Sequence, residues 1–181
     1  MTKRKMVVDG WSYTVDDEMQ CYLYRGLAGE YFSAGLDNFN REMLLGMANV
    51  LPFGTAREIT KDIIRRNKKT PTSFLVGGHS LGAAEALRQA NELDKAGVNV
   101  VCCLLLDYVP RGCRLWYKPE VKGNYPCLHV YTTDPRVKQV KGANNRKAPE
   151  GTNHIELDDD REVWEWIDEF MTKYARENSD D

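Results

Sequence analysis

The run TPTSFLVGGHSLGAAEALRQANELDKAG, residues 70–97, restricts the fold more than any other part of the chain. Its first half is a short apolar run of the kind that forms a buried strand. Its second half carries alanines and leucines in a helical pattern that stops at Gly97. Between them stands Gly78-His79-Ser80-Leu81-Gly82, a G-x-S-x-G pattern at a strand-to-helix turn. A serine there sits in a sharp, strained turn, and side chains at 78 and 82 would collide with the neighbouring strand and helix. The turn pushes the Ser80 hydroxyl into a cleft. It also leaves the Leu81 backbone N–H at the helix start, where an oxyanion could be stabilised. The plainer alternative is a glycine-rich turn whose serine only caps the helix.

The rest of the chain supplies a setting for that unit. QCYLYR, residues 20–25, reads as a strand feeding the loop GLAGEYFSAG. LDNFNREMLLGMANV, residues 36–50, has Leu36, Phe39, Met43, Leu44 and Met47 at helical spacing. TAREITKDIIRRNKK follows as a second helix, with Thr55 and Glu58 placed for a capping box. VNVVCCLLLD and YPCLHVYTTD are continuous apolar runs, as expected of strands buried on both faces, and they end at Asp107 and Asp134. A polar, basic loop leads to His154. The final helix then presents Val163, Ile167, Phe170 and Tyr174 on one face. Alternating elements of this kind predict a single α/β domain over 1–181, with a mainly parallel sheet, helices on both faces and flexible ends at 1–10 and 175–181. Functional groups should collect at the carboxyl ends of the strands.

GGHSLGAAEA resembles the nucleophile segment of the α/β-hydrolase superfamily, the lipases, esterases and thioesterases, and GHSLG is its lipase-like form. The order of residues agrees: that family runs serine, then acid, then histidine, and here Ser80 precedes the strand-end aspartates and His154. The resemblance implies a minimal α/β-hydrolase fold. It also implies a serine hydrolase acting on an ester or thioester through an acyl-enzyme, with no cofactor. A silent protein that kept the fold, or an acyltransferase or peptidase using the same residues, is the alternative.

Three histidines limit the choice of base. His79 adjoins the nucleophile and cannot easily fold back onto it, and His129 lies inside a predicted strand. His154, in GTNHIEL before the last helix, is similar in place to the family's catalytic histidine. The acid is open between Asp107 and Asp134. Asp107 is preferred, because a carboxylate ending a strongly apolar strand must offset its burial with a partner such as an imidazole N–H. TTDPR reads well as a polar turn. By resemblance the second oxyanion donor falls at Leu27, although Arg25-Gly26 stands where the family has His-Gly.

With 25 Lys+Arg against 27 Asp+Glu, no global field draws the molecule to nucleic acid or an anionic membrane. No window is apolar enough to span a bilayer or act as a signal peptide, so a soluble, cytoplasmic protein is expected. The five cysteines are an odd number. Cys21, Cys102, Cys103 and Cys127 lie in apolar runs, which suits reduced thiols, and Cys102 and Cys103 should face opposite sides of a strand. No zinc-type spacing occurs and no metal is expected. Only YVPRGCRLWYKPEVKGNY separates the two aspartate-ending strands, so an open, lidless cleft is expected, with Trp116 and Tyr117 as rim candidates. Arg136, Lys138, Lys141, Arg146 and Lys147 lie close to His154 in sequence. They would favour an anionic small-molecule acyl substrate unless they are simply solvated surface.

Overall fold

The computed structural model describes residues 3–8, 11–16, 19–24, 48–51, 56–110 and 118–176. Among the described residues six parallel strands form the main sheet: β3 (Met19–Tyr24), β4 (Ala48–Leu51), β5 (Ser73–His79), β6 (Asn99–Leu106), β7 (Cys127–Tyr131) and β8 (Asn144–Lys147). Their spatial order is β4-β3-β5-β6-β7-β8. Among the described residues three helices accompany them: α1 (Ala56–Asn67), α2 (Leu81–Lys95) and α3 (Arg161–Arg176). Ahead of the sheet, β1 (Lys3–Val8) and β2 (Trp11–Asp16) pair antiparallel, with Val8 opposite Trp11.

Side-chain alternation along the central strands builds two cores, one on each face of the sheet. Leu75, Cys102, Leu104, Leu106, Leu128 and Val130 face α3 and pack with its Val163, Trp164, Ile167 and Phe170. Phe74, Val76, Cys103, Leu105 and Cys127 face the other way, onto Ala83, Ala86, Leu87 and Ala90 of α2 and Ile63 of α1. Cys102 and Cys103 thus belong to opposite cores, as alternation requires. The parity is set by an irregularity: Phe74 is opposite Val100, but Leu75 is opposite Cys102, so Val101 is the extra residue of a bulge. One inserted residue exchanges the faces of everything beyond it. It thereby fixes which side each residue of β6 presents on the way to Asp107. Between the helices, Gln89 Nε2 donates to Thr60 Oγ1 at 3.1 Å, and that hydroxyl donates to the Ala56 carbonyl at 2.6 Å.

The α/β architecture with helices on both faces is therefore the one the sequence predicts, with three local differences. Ala48–Leu51 is a strand paired with β3, not the end of a helix. Pro52 disfavours helical backbone at the residue before it, and Val50-Leu51 suits an edge strand. Asn144–Lys147 pairs with β7, although its composition reads as a loop. Polar, charged residues are what an edge strand carries, so apolar alternation gives no signal there. The β1–β2 pair has a sequence mark that the helical and buried-strand patterns do not reveal: Asp9-Gly10, a two-residue hairpin signature, separates the two runs. The expected helix over 36–47 and the capping residue Thr55 lie outside the described residues.

The turn from β5 into α2 depends on Gly78. A Cβ there would lie 2.2 Å from the Gly82 carbonyl oxygen and 2.7 Å from the Ala83 nitrogen, both backbone atoms that cannot swing aside. Gly78→Ala is therefore expected to cost about 3 kcal/mol or more, the range of severe overpacking. Urea denaturation of the variant checks this, and an unchanged midpoint would refute the tight approach.

Candidate active site

Ser80 follows the last residue of β5 with φ 58° and ψ −123°, a left-handed conformation rare for a residue with a side chain. Its N–H donates to the Leu106 carbonyl at 2.9 Å, which ties the turn to β6. Its side chain makes no cap hydrogen bond to α2, so the helix-capping alternative fails. The hydroxyl instead lies 3.0 Å from His154 Nε2. Leu81 begins α2, where first-turn N–H groups have no intrahelical acceptor and the helix end is electropositive.

His154 reaches this point from the loop between β8 and α3. Asn153 Oδ1 accepts from the N–H groups of Ile155 and Glu156 at 2.9 and 3.1 Å, forming the bend that turns the imidazole inward. Asp160 anchors the loop to α3: its Oδ1 caps the N–H groups of Glu162 and Val163, and its Oδ2 accepts from Thr152 Oγ1 at 2.5 Å. His154 Nδ1 lies 2.8 Å from Asp107 Oδ2. A carboxylate only accepts, so Nδ1 carries the proton and Nε2 is left to accept from the serine hydroxyl.

Asp107 is fully buried and has φ 45°. Its N–H donates to the Val130 carbonyl at 2.9 Å. Besides His154, its carboxylate accepts from the Thr132 N–H at Oδ1 (2.6 Å) and from the Thr132 hydroxyl at Oδ2 (2.7 Å). The next N–H, of Tyr108, donates to His129 Nε2 at 3.1 Å. The other ring nitrogen of His129 therefore holds its proton, which it gives to Asn145 Oδ1 at 2.8 Å. Burial pushes the His129 imidazole down to about 4, despite the Asn145 hydrogen bond and the negative charge of Asp107.

The sequence expectations thus divide. Ser80, His154 and Asp107 come together, with Leu81 beside them. Asp134 is engaged elsewhere: its carboxylate takes the Arg136 N–H at 2.8 Å, Nε at 3.0 Å and Nη2 at 2.7 Å. The Arg136 hydrogen bonds hold it down at about 2. Leu27, Trp116 and Tyr117 lie outside the described residues. His79 is buried beside His154, its ring centroid 5.0 Å from that of His154 and its Nδ1 4.0 Å from Asp158 Oδ1. With Asp107 and His154 it brings ligand-type atoms within 4.8 Å of one another. Within that set, Asp107 Oδ2 and His154 Nδ1 are hydrogen-bonded to each other at 2.8 Å. Thr132 and His129 were not legible as site residues; the only hint is that both lie on or just beyond the strand that follows Asp107.

No family model matches the chain, and no curated protein matches it by sequence. Its fold is similar to that of human thioesterase 2, with a TM-score of 0.56 and 11% identity over 91% of this chain and 99% of that one. A YdeN-like hydrolase of Pectobacterium atrosepticum gives 0.55 and 13% over 88% and 91%. A structure reported with the metagenome-derived lipolytic enzymes LipS and LipT gives 0.51 and 10% over 88% and 95%. These likenesses are of fold, and the fold is α/β-hydrolase-like. No described helix is long and apolar enough to cross a membrane.

The depressed His129 has a consequence for stability. The unfolded chain binds a proton at this residue near the ordinary value of 6.5, whereas the folded chain binds it only near 4. Stability from keeping the ring neutral is thus complete above about pH 6.5 and is lost as the pH falls toward 4, by about 3 kcal/mol over that window. Urea denaturation at pH 7 and 4.5 should show a smaller acid loss for His129→Gln than for wild type. Equal losses would refute the assignment.

Proposed function

We propose that this chain is a serine hydrolase that cleaves a carboxylic ester or thioester, with Ser80 as nucleophile, His154 as general base and Asp107 as the acid behind it. One observation carries the reading: an unbroken hydrogen-bonded relay from Ser80 Oγ to His154 Nε2 (3.0 Å) and from His154 Nδ1 to Asp107 Oδ2 (2.8 Å). All three residues are buried and anchored to separate elements. A chance cluster of a serine, a histidine and an aspartate would not also bring the serine to a helix N-terminus in a left-handed turn.

In this mechanism Ser80 Oγ attacks the carbonyl carbon while His154 Nε2 takes its proton. The imidazolium so formed is stabilised by Asp107, and the oxyanion faces the Leu81 N–H at the start of α2. Collapse breaks the bond to the alcohol or thiol, which leaves with the proton from His154. Water then loses a proton to the same nitrogen and attacks the acyl-serine, which releases the acid and restores the hydroxyl. Leu27 is the proposed second oxyanion donor. The solved neighbours, among them a thioesterase and lipolytic enzymes, add support for ester or thioester substrates.

The loop cations lend limited support to an anionic substrate. Three of the five loop cations have structural partners: Arg136 binds Asp134, Lys141 binds Glu120 at 2.6 Å, and Arg146 lies 3.7 Å over the Trp166 ring and 3.6 Å from Glu169.

Fluorophosphonate labelling and hydrolysis of p-nitrophenyl acetate and butyrate test the proposal. Ser80→Ala should abolish labelling and lower kcat by about 10⁴-fold or more. Correctly folded wild type that neither labels nor turns over would point instead to a silent protein of hydrolase fold. Separately, Asp107→Asn should lower kcat by roughly 10³- to 10⁴-fold, while Asp134→Asn stays within about threefold of wild type. The reverse pattern in the same assay would transfer the acid's role to Asp134.

A further inference from the structure

We infer that Thr132 is a positioning residue of this site, whose hydroxyl holds Asp107 and shares the oxygen that Asp107 presents to His154. The inference rests on the hydrolase reading. Thr132 is buried immediately after β7 and gives both of its donors to one carboxylate. The bond from its N–H to Oδ1 is available to any residue but proline. The bond from its hydroxyl to Oδ2 is specific to a hydroxyl side chain, and Oδ2 is the oxygen that also faces His154 Nδ1.

The direction of the hydroxyl proton follows from its neighbours. The Asp134 N–H approaches Thr132 Oγ1 at 3.3 Å as a donor, and the carboxylate can only accept, so the hydroxyl proton points to Asp107. Asp134 thus serves the site through its backbone while its side chain binds Arg136.

Two donors on one oxygen divide its charge between them. Without the hydroxyl, Asp107 would stay in place on the Thr132 N–H but would pull harder on a protonated His154, which then gives up its proton less readily. The other groups facing His154 are Ser80 and His79 from the β5–α2 turn, with Asp158 beyond His79. Asp134, paired with Arg136, interacts with it electrostatically from the turn after β7. Glu156, Asp159 and Asp160 lie on its own loop. A change at Thr132 leaves the charge of all of these unaltered.

Thr132→Val removes the hydroxyl and keeps the branched shape, and Thr132→Ser keeps the hydroxyl. In ester hydrolysis, Thr132→Val should lower kcat roughly tenfold with KM unchanged. It should also move the acid limb of the kcat/KM profile to higher pH by about half a unit. Thr132→Ser should restore both. The His154 ring titration followed by NMR, identified by its loss in His154→Asn, should move upward in Thr132→Val in the same way, and this readout needs no turnover. Should Thr132→Val not fold, Thr132→Ala carries the same expectations. A ring titration that stays put or moves down, or a serine variant that behaves like the valine one, would overturn the role of Thr132. Folded wild type that resists fluorophosphonate would instead remove the hydrolase reading, and the NMR titration would still decide whether the hydroxyl acts on His154.

Discussion

A carboxylate with no solvent exposure is the constraint on which this site turns. Removing a charge from water costs several kcal/mol even after relaxation, and the cost is met only when the oxygens find strong donors. Asp107 has three such bonds at 2.6 to 2.8 Å, two from Thr132 and one from His154. Each is charge-assisted. If any one is removed, the remaining burial becomes harder to sustain, so the contacts that order the histidine also keep the aspartate inside. Asp134 marks the contrast: partly exposed, it satisfies its charge with the neighbouring Arg136 and has no comparable need of an imidazole.

This is also why Asp107, the proposed acid, stood out in sequence. An aspartate closing the apolar run VNVVCCLLLD is carried inside by a strand buried on both faces, and burial forces its carboxylate to find a partner. The turn that carries the proposed nucleophile was legible for a related reason, since the close backbone approach at Gly78 leaves a residue-specific trace there. The two strands rich in Val, Leu and Cys declared themselves through burial on both faces, and alternation alone put Cys102 and Cys103 on opposite faces of the sheet.

What the sequence concealed has physical causes too. β8 is recruited by backbone pairing and by Asn145, whose amide donates to the carbonyls of Val140 and Ala143 while its oxygen accepts from the Val140 N–H and His129. Those are the bonds of one polar residue, three of them local and one to His129, without a period to detect. Thr132 is harder still, because a threonine in a TTD turn is commonplace until the strand beside it is known to end in a buried carboxylate. The bulge at Val101 leaves no mark in a run where every residue is apolar, yet it decides which face each later residue meets.

The three neighbouring strand ends share one device. The Ser80 N–H continues the ladder from β5 to the Leu106 carbonyl of β6, and the Asp107 N–H continues it from β6 to the Val130 carbonyl of β7. Each residue is thus still held by the sheet through its nitrogen when its φ turns positive and carries the chain away. At the next step, just past β7, the Thr132 N–H finds the Asp107 carboxylate in place of a backbone carbonyl. That bond points back toward β6, and its acceptor is the side chain that also faces His154. Positive φ at a non-glycine residue costs of order 1 to 3 kcal/mol and persists only where the surroundings over-determine it. Here the surroundings are rungs of a parallel sheet packed on both faces, a more rigid support than loops alone would give to groups that must stay within a few tenths of an ångström of one another.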